Sequence, residues 1–287
     1  MTDQLFVEQD PFAPINYRYP IKRVLHERKS SIQEIKVLES EFFGRMMTLD
    51  NVIQLTERDE YMYHEMLAHV PMHSHPNPER VLVIGGGDGG TLREALKHPS
   101  VKSATLVDID AEVCEVSRLF FPSLSASFND PRSALKPGDG AAFLATTKEK
   151  FDVILVDAPD PVGPARTLTT PEFYRSALNA LTDRGVFAMQ TESLHFHFDF
   201  VQQIQKTLAG IFPSVGLYAA PLATYAGNWW TFSIGSKGTL TPVPVRNSKV
   251  DAVYYSADAH AKAFVPPTVV ANLAKRYAAY PARYTPV

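Results

Sequence analysis

Four consecutive apolar residues, Val81-Leu82-Val83-Ile84, run directly into Gly85-Gly86-Gly87-Asp88-Gly89-Gly90. A short, continuous apolar run reads as a strand buried on both faces. Helix signals follow from Thr91 to His98. Glycines between the two allow a tight turn and a close approach of backbone to a ligand. Gly85, Gly87 and Gly90 carry the G-x-G-x-x-G spacing of nucleotide-binding strand–turn–helix units. Spacing alone does not separate a dinucleotide from an S-adenosyl ligand. Asp88 bears on that choice. Dinucleotide loops offer amides and a helix dipole to a pyrophosphate, which a carboxylate in the loop repels. A cation such as a sulfonium or an amine is attracted instead. The same aspartate can also simply cap the following helix.

Strand and helix signals alternate beyond the loop. Ala104 to Val107, Val153 to Val156 and Val186 to Met189 read as strands, as do Val215 to Tyr218 and Trp230 to Ile234. Helices are expected from Ala111, over Pro171 to Leu181, and over Phe198 to Leu208. This alternation predicts an α/β fold with a mostly parallel, doubly wound, Rossmann-like sheet of the methyltransferase type. Ahead of it, Arg23 to His26, Ile32 to Glu39 and Arg45 to Leu49 are rich in β-branched and aromatic residues. Turn signals at Phe43-Gly44 and Asp50-Asn51 separate them, predicting a small antiparallel β region. A helix is expected over Glu57 to His69, after which Pro76 and Pro78 force the chain extended. The expected division is an N-terminal β domain, residues 1–75, and a Rossmann-like catalytic domain, residues 76–287. The tail containing Pro266, Pro267 and Pro281 reads as irregular and partly helical.

A chain of 287 residues, 45% hydrophobic, can bury a core without staples. The net charge of -3, with no basic stripe, predicts no nucleic-acid partner. Cys114 is the single cysteine, so no intramolecular disulfide can form and a reducing, cytoplasmic compartment is expected. It reads as a hydrophobe on a helix face. The start, Met1-Thr2-Asp3-Gln4, has no signal-peptide pattern. No run approaches the roughly 18 apolar residues of a membrane span, so no membrane partner is expected.

Acidic residues gather at strand ends, where ligands of open α/β sheets sit. Asp108 and Asp110 end the second strand of the alternation. Asp108 is positioned for ribose hydroxyls, and Asp110 for capping the next helix. Asp139-Gly140 precedes an apolar helical stretch; its carboxylate suits either an adenine amino group or a helix N-cap. Asp157-Ala158-Pro159-Asp160-Pro161 follows another strand. Carboxylates converging on one cleft imply a cationic substrate, such as a diamine or a sulfonium. Clustering also raises carboxyl pKa values, so that one can act as a base near neutrality. The competing reading of Asp157 to Pro161 is a turn. A metal site is disfavoured because no histidine is close in sequence. His69, His73, His75, His195 and His197 lack a zinc pattern and read as surface or packing residues.

Taken together, these motifs resemble the spermidine synthase (polyamine aminopropyltransferase) family. The resemblance runs through Ile32-Gln33-Glu34, Leu49 to Gln54, Thr56 to Glu60, Tyr63-His64-Glu65-Met66 and the Gly85 to Gly90 loop. It continues through Asp139-Gly140, Asp157 to Pro164, Thr224-Tyr225, and His260 with Ala263-Phe264. It implies a β-rich N-terminal domain on a Rossmann-like catalytic domain, assembled as a homodimer or homotetramer. It implies decarboxylated S-adenosylmethionine as co-substrate, with no prosthetic group and no metal. By the same resemblance, Asp157 is the general base. Asp88 anchors the donor's aminopropyl ammonium, Asp108 holds the ribose, and Asp139-Gly140 contacts adenine. Gln33, Gly85 and Pro164 complete the donor site. Tyr63, His64, Asp160, Gln190 and Tyr225 line the amine pocket. Putrescine is the expected acceptor, with cadaverine, agmatine or a longer polyamine as alternatives. Ala158-Pro159 departs from the family pattern, replacing hydroxyl residues and stiffening the loop. That change bears on acceptor positioning. The runs Ala226 to Trp230, with Trp229-Trp230, and Thr191 to His197 beside Gln190 are expected to border the amine pocket, which leaves acceptor length open. The competing functions are an S-adenosylmethionine-dependent methyltransferase and a non-catalytic polyamine or nucleoside sensor.

Overall fold

The computed structural model describes residues 4–10, 12–246 and 248–280. Met1-Thr2-Asp3 and Pro281, which bore on the sequence-based expectations, lie outside the described residues. Strands β1 (Gln4–Gln9) and β2 (Asn16–Ile21) pair as an antiparallel hairpin. Strands β3 (Arg23–Lys29), β4 (Glu34–Ser40), β5 (Gly44–Leu49) and β6 (Val52–Thr56) form a four-stranded antiparallel sheet in sequence order. One face of that sheet packs on the hairpin through Phe6, Tyr19, Leu38, Met46 and Ile53. The other face sends Ile35, Val37, Met47 and Leu55 against Val113, Val116 and Phe121.

Helix α1 (Glu60–Ser74) leads into the large domain, whose elements follow in order. They are β7 (Arg80–Gly85), α2 (Gly90–Leu96), β8 (Ser103–Asp108), α3 (Ala111–Phe120), α4 (Pro122–Ser125), β9 (Ser133–Pro137) and α5 (Gly140–Thr146). Next come β10 (Phe151–Asp157), α6 (Pro171–Ala180), β11 (Leu181–Ser193), α7 (Phe198–Ala209), β12 (Ser214–Pro221), β13 (Trp229–Ser236), α8 (Ala257–Ala263) and α9 (Pro267–Tyr277). The seven strands lie in the order β12-β13-β11-β10-β7-β8-β9. Those from β11 to β9 pair in parallel, while β13 runs antiparallel to both neighbours. This is the expected doubly wound sheet.

Alternation in the central strands explains their unbroken apolar sequences. Val81, Val83, Val153 and Leu155 face the core beneath α1 and α2. Leu82, Ile84, Ile154 and Val156 face the opposite core, with α6 and α7. A strand with helices on both faces has no side to give to polar residues. The chain winds outward from β7 through β8 and β9, then returns to place β10 on the other side of β7. Strand order reverses there, which opens a crevice at the carboxyl ends of β7 and β10.

Two boundaries differ from those expected. Helix α1 spans Glu60–Ser74 rather than Glu57 to His69, and it continues through Pro71. Proline forfeits one backbone donor, but this helix is buried nearly all round, from Tyr63 to His73. Packing overrides the local breaker. The helix also belongs to the large sheet: Tyr63, Met66, Leu67 and Val70 join the core that holds Val81 and Val83. On this packing we place the domain division between residues 57 and 60 instead of after residue 75. The C-terminal segment is partly helical, as expected. Before α8 it crosses α1, where the Glu65 carboxylate accepts from the amides of Val253, Tyr254 and Tyr255 at 2.7 to 2.8 Å. Among the described residues no helix is long and apolar enough to cross a membrane.

Candidate active site

A cavity of about 310 Å³ opens at this crevice. Every site residue expected from the sequence lines it: Gln33, Tyr63, His64, Gly85, Asp88, Asp108, Asp139, Gly140, Asp157, Asp160, Pro164, Gln190 and Tyr225.

The glycine loop forms one wall. Gly85 adopts φ +74°, and a Cβ there would lie 2.1 Å from the Asp157 carbonyl oxygen. Only glycine fits both the left-handed backbone and the contact. The Gly86 amide donates to that same carbonyl at 2.8 Å. Asp108, at the end of β8, accepts from the Asp110 amide at 2.8 Å. Burial, with Asp110 and Asp88 nearby, pushes its carboxyl up to about 6 against the backbone donors. Asp110 caps α3, as expected, by accepting from the Glu112 amide at 3.1 Å. It also takes donors from Ser30 Oγ at 2.7 Å and Gln33 Nε2 at 3.0 Å, which ties the N-terminal sheet to this wall. Asp139 caps α5 through the Ala141 and Ala142 amides at 2.7 and 3.2 Å while still facing the cavity. Pro164 lies in the 3-10 turn Gly163–Thr169, across the loop that follows β10.

Asp157 ends β10 and stands opposite Gly85 in the strand register. Its Oδ1 accepts from the Tyr63 hydroxyl at 2.7 Å, and its Oδ2 from Thr91 Oγ1 at 2.6 Å. Burial first, then the negative charge of Asp88, raises its pKa; His64, Thr91 and Tyr63 oppose the rise. Asp88 accepts from the Gly90 amide at 2.6 Å, although the N-cap position of α2 itself belongs to Gly89. Its Oδ1 also lies 3.3 Å from His64 Nε2. His64 Nδ1 reaches Glu60 Oε2 at 2.6 Å, and Arg93 grips Glu60 at 3.1 and 2.9 Å. Burial works against charge on His64, but Asp88 and Glu60 prevail and hold its pKa well above the usual imidazole range. The positive imidazole in turn keeps Asp88 below the usual carboxyl range despite burial. Asp88 is thus held ionised and Asp157 proton-seeking, a separation of roles that suits acid–base chemistry.

His64, Asp88 and Asp157 offer ligand atoms within 4.8 Å of one another, the arrangement among the described residues that most resembles a metal site. Asp157 already takes donors on both oxygens, from Tyr63 and Thr91. His64 Nδ1 is also already taken by Glu60. Each group is thus already partnered within the protein, with His64 Nε2 facing Asp88 Oδ1 at 3.3 Å.

The opposite end of the cavity is strongly acidic. Gln190 Nε2 donates to the Ala158 carbonyl at 3.0 Å and to Glu192 Oε1 at 3.3 Å. Glu192 sits at a bulge in β11 with φ +65°, a strained conformation for a side chain of this size. Burial, followed by the charge of Asp160, pushes Glu192 well above the carboxyl range. Asp160 is itself raised, chiefly by burial. The negative charge of Asp160 disfavours a second negative charge on Glu192. Tyr225 sets its ring edge-on to Tyr63, with centroids 5.6 Å apart, and donates to the Gln54 carbonyl. Trp230 packs on Tyr225 at 4.6 Å and lines the cavity. Trp229 turns away toward Leu194 and Phe198.

Sequence reasoning missed part of this end. Glu8, Asp10 and Tyr17 reach it from the hairpin, which was not among the expected strands. Glu8 is buried with its pKa raised to about 7, mainly by burial, while accepting from the Ile53 amide at 2.8 Å. A carboxylate in the same alternating register as buried Phe6 was the available signal. Thr91 carried no signal of its own, and Glu192 only as part of the run from Thr191 to His197 beside Gln190. Of the two readings offered for His197, surface or packing, burial supports the second, and the residue also lines the cavity wall. His195 does lie near the surface, bonded to the Tyr277 hydroxyl at 2.8 Å. His69 and His73 are buried packing residues against His98 and Tyr255. His75 is buried too, accepting from the Asn77 amide at 3.2 Å.

Comparison with known proteins follows the same division of the chain. A family model described as the spermine/spermidine synthase domain matches residues 60–244. One described as the spermidine synthase tetramerisation domain matches residues 4–57. Polyamine aminopropyltransferase 1 of Aquifex aeolicus (strain VF5) is 52% identical over 266 residues, 93% of this chain and 95% of that protein. The polyamine aminopropyltransferase of Bacillus subtilis (strain 168) is 44% identical over 89% of this chain and 93% of its own. The crystal structure of spermidine synthase from Thermotoga maritima superposes with a TM-score of 0.86 at 35% identity, covering 95% of this chain and 94% of that one. A spermidine synthase in complex with the transition-state analogue AdoDATO gives a TM-score of 0.88, also at 35% identity and covering 95% of both chains.

Proposed function

This chain belongs to the spermine/spermidine synthase family and is a polyamine aminopropyltransferase, and on that premise we propose that its acceptor is putrescine and its product spermidine. Decarboxylated S-adenosylmethionine is the co-substrate, and methylthioadenosine is the second product. One observation carries the acceptor reading. Asp157 is held by Tyr63 and Thr91 beside ionised Asp88, while the carboxyls Glu8, Asp160 and Glu192 line the same cavity farther on. Two separated acidic groups match a molecule with a nitrogen at each end.

In this reading, thioadenosine lies along Gln33, Asp108, Asp139-Gly140 and Pro164. The donor's ammonium meets Asp88. S-adenosylmethionine itself carries a carboxylate that Asp88 would repel, so the decarboxylated donor is selected. An attacking amine must be neutral. Asp157 takes its proton, helped by a pKa raised toward the working range. Tyr63 and Tyr225 orient the nitrogen, with Gln190 fixing the loop through the Ala158 carbonyl. The nitrogen forms a bond to the aminopropyl methylene as the carbon–sulfur bond breaks. The electron pair stays on sulfur, and a neutral thioether leaves. Charge is dispersed in that step, so positioning supplies much of the acceleration.

The N-terminal match supports assembly from identical chains, and we read the assembly as a homotetramer. Leu5, Val7, Val24 and Phe42 expose apolar side chains on that unit, surface that further copies would cover. The one cysteine, Cys114, is free and buried, which suits a cytoplasmic setting. The test is methylthioadenosine release from decarboxylated S-adenosylmethionine with putrescine, cadaverine, agmatine and spermidine in turn. Preference for putrescine, with spermidine appearing in step, is expected. Asp157→Asn should lower turnover by about 10²- to 10⁴-fold. Preference for another amine would replace the acceptor, and full turnover by Asp157→Asn would remove the base.

A further inference from the structure

The far wall of the cavity contains a link that the aminopropyl chemistry does not use. His197 lies just before α7 and is 4% exposed. Its Nε2 is 3.2 Å from Asp10 Oδ1, although the two residues stand 187 positions apart. Asp10 follows β1, and its Oδ1 also accepts from the amides of Phe12 and Ala13 at 2.8 and 2.6 Å. The turn of the hairpin is therefore folded around the carboxylate that grips His197. Nδ1 of the same imidazole faces Glu192 Oε2 at 3.4 Å, too poorly aimed for a hydrogen bond. Phe12 sets its ring edge-on against the imidazole at 5.6 Å. Burial opposes charge on Asp10, yet the bond and charge of His197 hold its pKa below the ordinary value.

This pair is placed unlike an ordinary structural ion pair. Asp10, Glu192 and His197 all line the cavity. The wall consists of two segments, the hairpin and the large sheet; Tyr19 and Tyr17 join them at Thr224 and Gly227, and the Asp10–His197 contact joins them at the cavity. A diamine on Asp157 places its second ammonium among Asp160, Glu192 and Glu8. A triamine must continue past them and carries one more cation. The His197 ring lies between Asp10 Oδ1 at 3.2 Å and Glu192 Oε2 at 3.4 Å, so it fills the space that the longer amine would need. It also occupies the Asp10 oxygen that would otherwise face that cation.

Building on the aminopropyl-transfer reading above, we propose that His197, latched to Asp10 and set against Glu192, is the specificity-determining residue that closes the acceptor end, confining the acceptor to a diamine and positioning Glu192 for its far ammonium. Deleting the imidazole frees Asp10, opens the wall and loosens Glu192. None of these changes touches the donor end or Asp157.

The experiment compares wild type, His197→Ala, His197→Gln and Asp10→Asn as full-length proteins. Methylthioadenosine release is measured at saturating donor with putrescine or spermidine varied. For His197→Ala the putrescine KM should rise about tenfold with kcat nearly unchanged, the mark of lost binding without lost chemistry. The kcat/KM ratio of spermidine to putrescine should rise about tenfold or more. Asp10→Asn, which weakens the latch but removes the carboxylate as well, should shift the ratio the same way by less. His197→Gln, which can still donate to Asp10, should recover part of the putrescine KM. Calorimetric binding of methylthioadenosine should be unaltered in all four proteins, which shows that they are folded. If His197→Ala fails that check, the nearly isosteric Asp10→Asn tests the proposal through the same ratio. An unchanged ratio in variants that bind methylthioadenosine overturns the proposal, and so does an equal loss of kcat with both amines. Absence of release by the wild-type protein with any amine would instead refute the parent reading.

Discussion

Replacing Thr91 by valine removes one hydroxyl from the site and little else. Thr91 is fully buried, and its Oγ1 donates to Asp157 Oδ2 at 2.6 Å. That bond favours the ionised carboxylate. A hydrogen bond to a charged group contributes about 1.5–3 kcal/mol, and one pKa unit corresponds to about 1.4 kcal/mol, so its loss should raise the Asp157 pKa by roughly one to two units. The value is already raised by burial and Asp88, so the two effects add in the same direction. A base with a higher pKa is protonated over a wider range at its acidic side. The acidic limb of kcat against pH should therefore move to higher pH by roughly one to two units. The alkaline plateau should be nearly retained, because the Tyr63 hydroxyl still holds Oδ1. Thr91→Ser keeps the donor and should follow wild type. Stability supplies a second readout. A carboxyl whose folded pKa is raised loses stability as pH climbs from its unfolded value through its folded value. The deficit in Tm of Thr91→Val should accordingly be small in acid and widen toward neutrality. The assay is methylthioadenosine release at saturating substrates across the pH range, beside thermal melts at the same pH values. A limb that stays in place, or one uniform loss of kcat at every pH, would refute Asp157 as a base tuned by Thr91.

Three further outcomes follow from the same geometry. Gly85→Ala forces a non-glycine residue to φ +74° and drives a Cβ to 2.1 Å from the Asp157 carbonyl oxygen. It should cost about 1–3 kcal/mol in a denaturant titration and lower kcat by displacing Asp157. Asp88→Asn removes the charge that separates the two possible donors; calorimetry should show weaker binding of decarboxylated S-adenosylmethionine, by about tenfold or more, and stronger binding of S-adenosylmethionine. Glutamates at Leu5 and Val7, 53% and 49% exposed on β1, should reduce the mass found by light scattering while leaving the far-ultraviolet spectrum intact. An unchanged mass would place the contact between copies elsewhere.

The sequence by itself determined what depends on near neighbours. The unbroken apolar runs Val81 to Ile84 and Val153 to Val156 implied strands buried on both faces, which is how the two cores use them. Asp110 could be assigned as a cap because its partner, Glu112, is two residues away. The glycine loop required a left-handed backbone, and Gly85, Gly86 and Gly89 adopt it. Tertiary structure alone decided the partners of buried polar groups. Asp157 takes its donors from residues 94 and 66 positions earlier. His197 gains its place in the wall from Asp10, 187 positions away. A neutral or charged side chain in water gives no local sign of the carboxylate it will meet after burial, since the cost of desolvation arises only when the fold closes around it. The end of α1 shows the same division. Pro71 is a local stop signal, but packing on the large sheet extends the helix to Ser74.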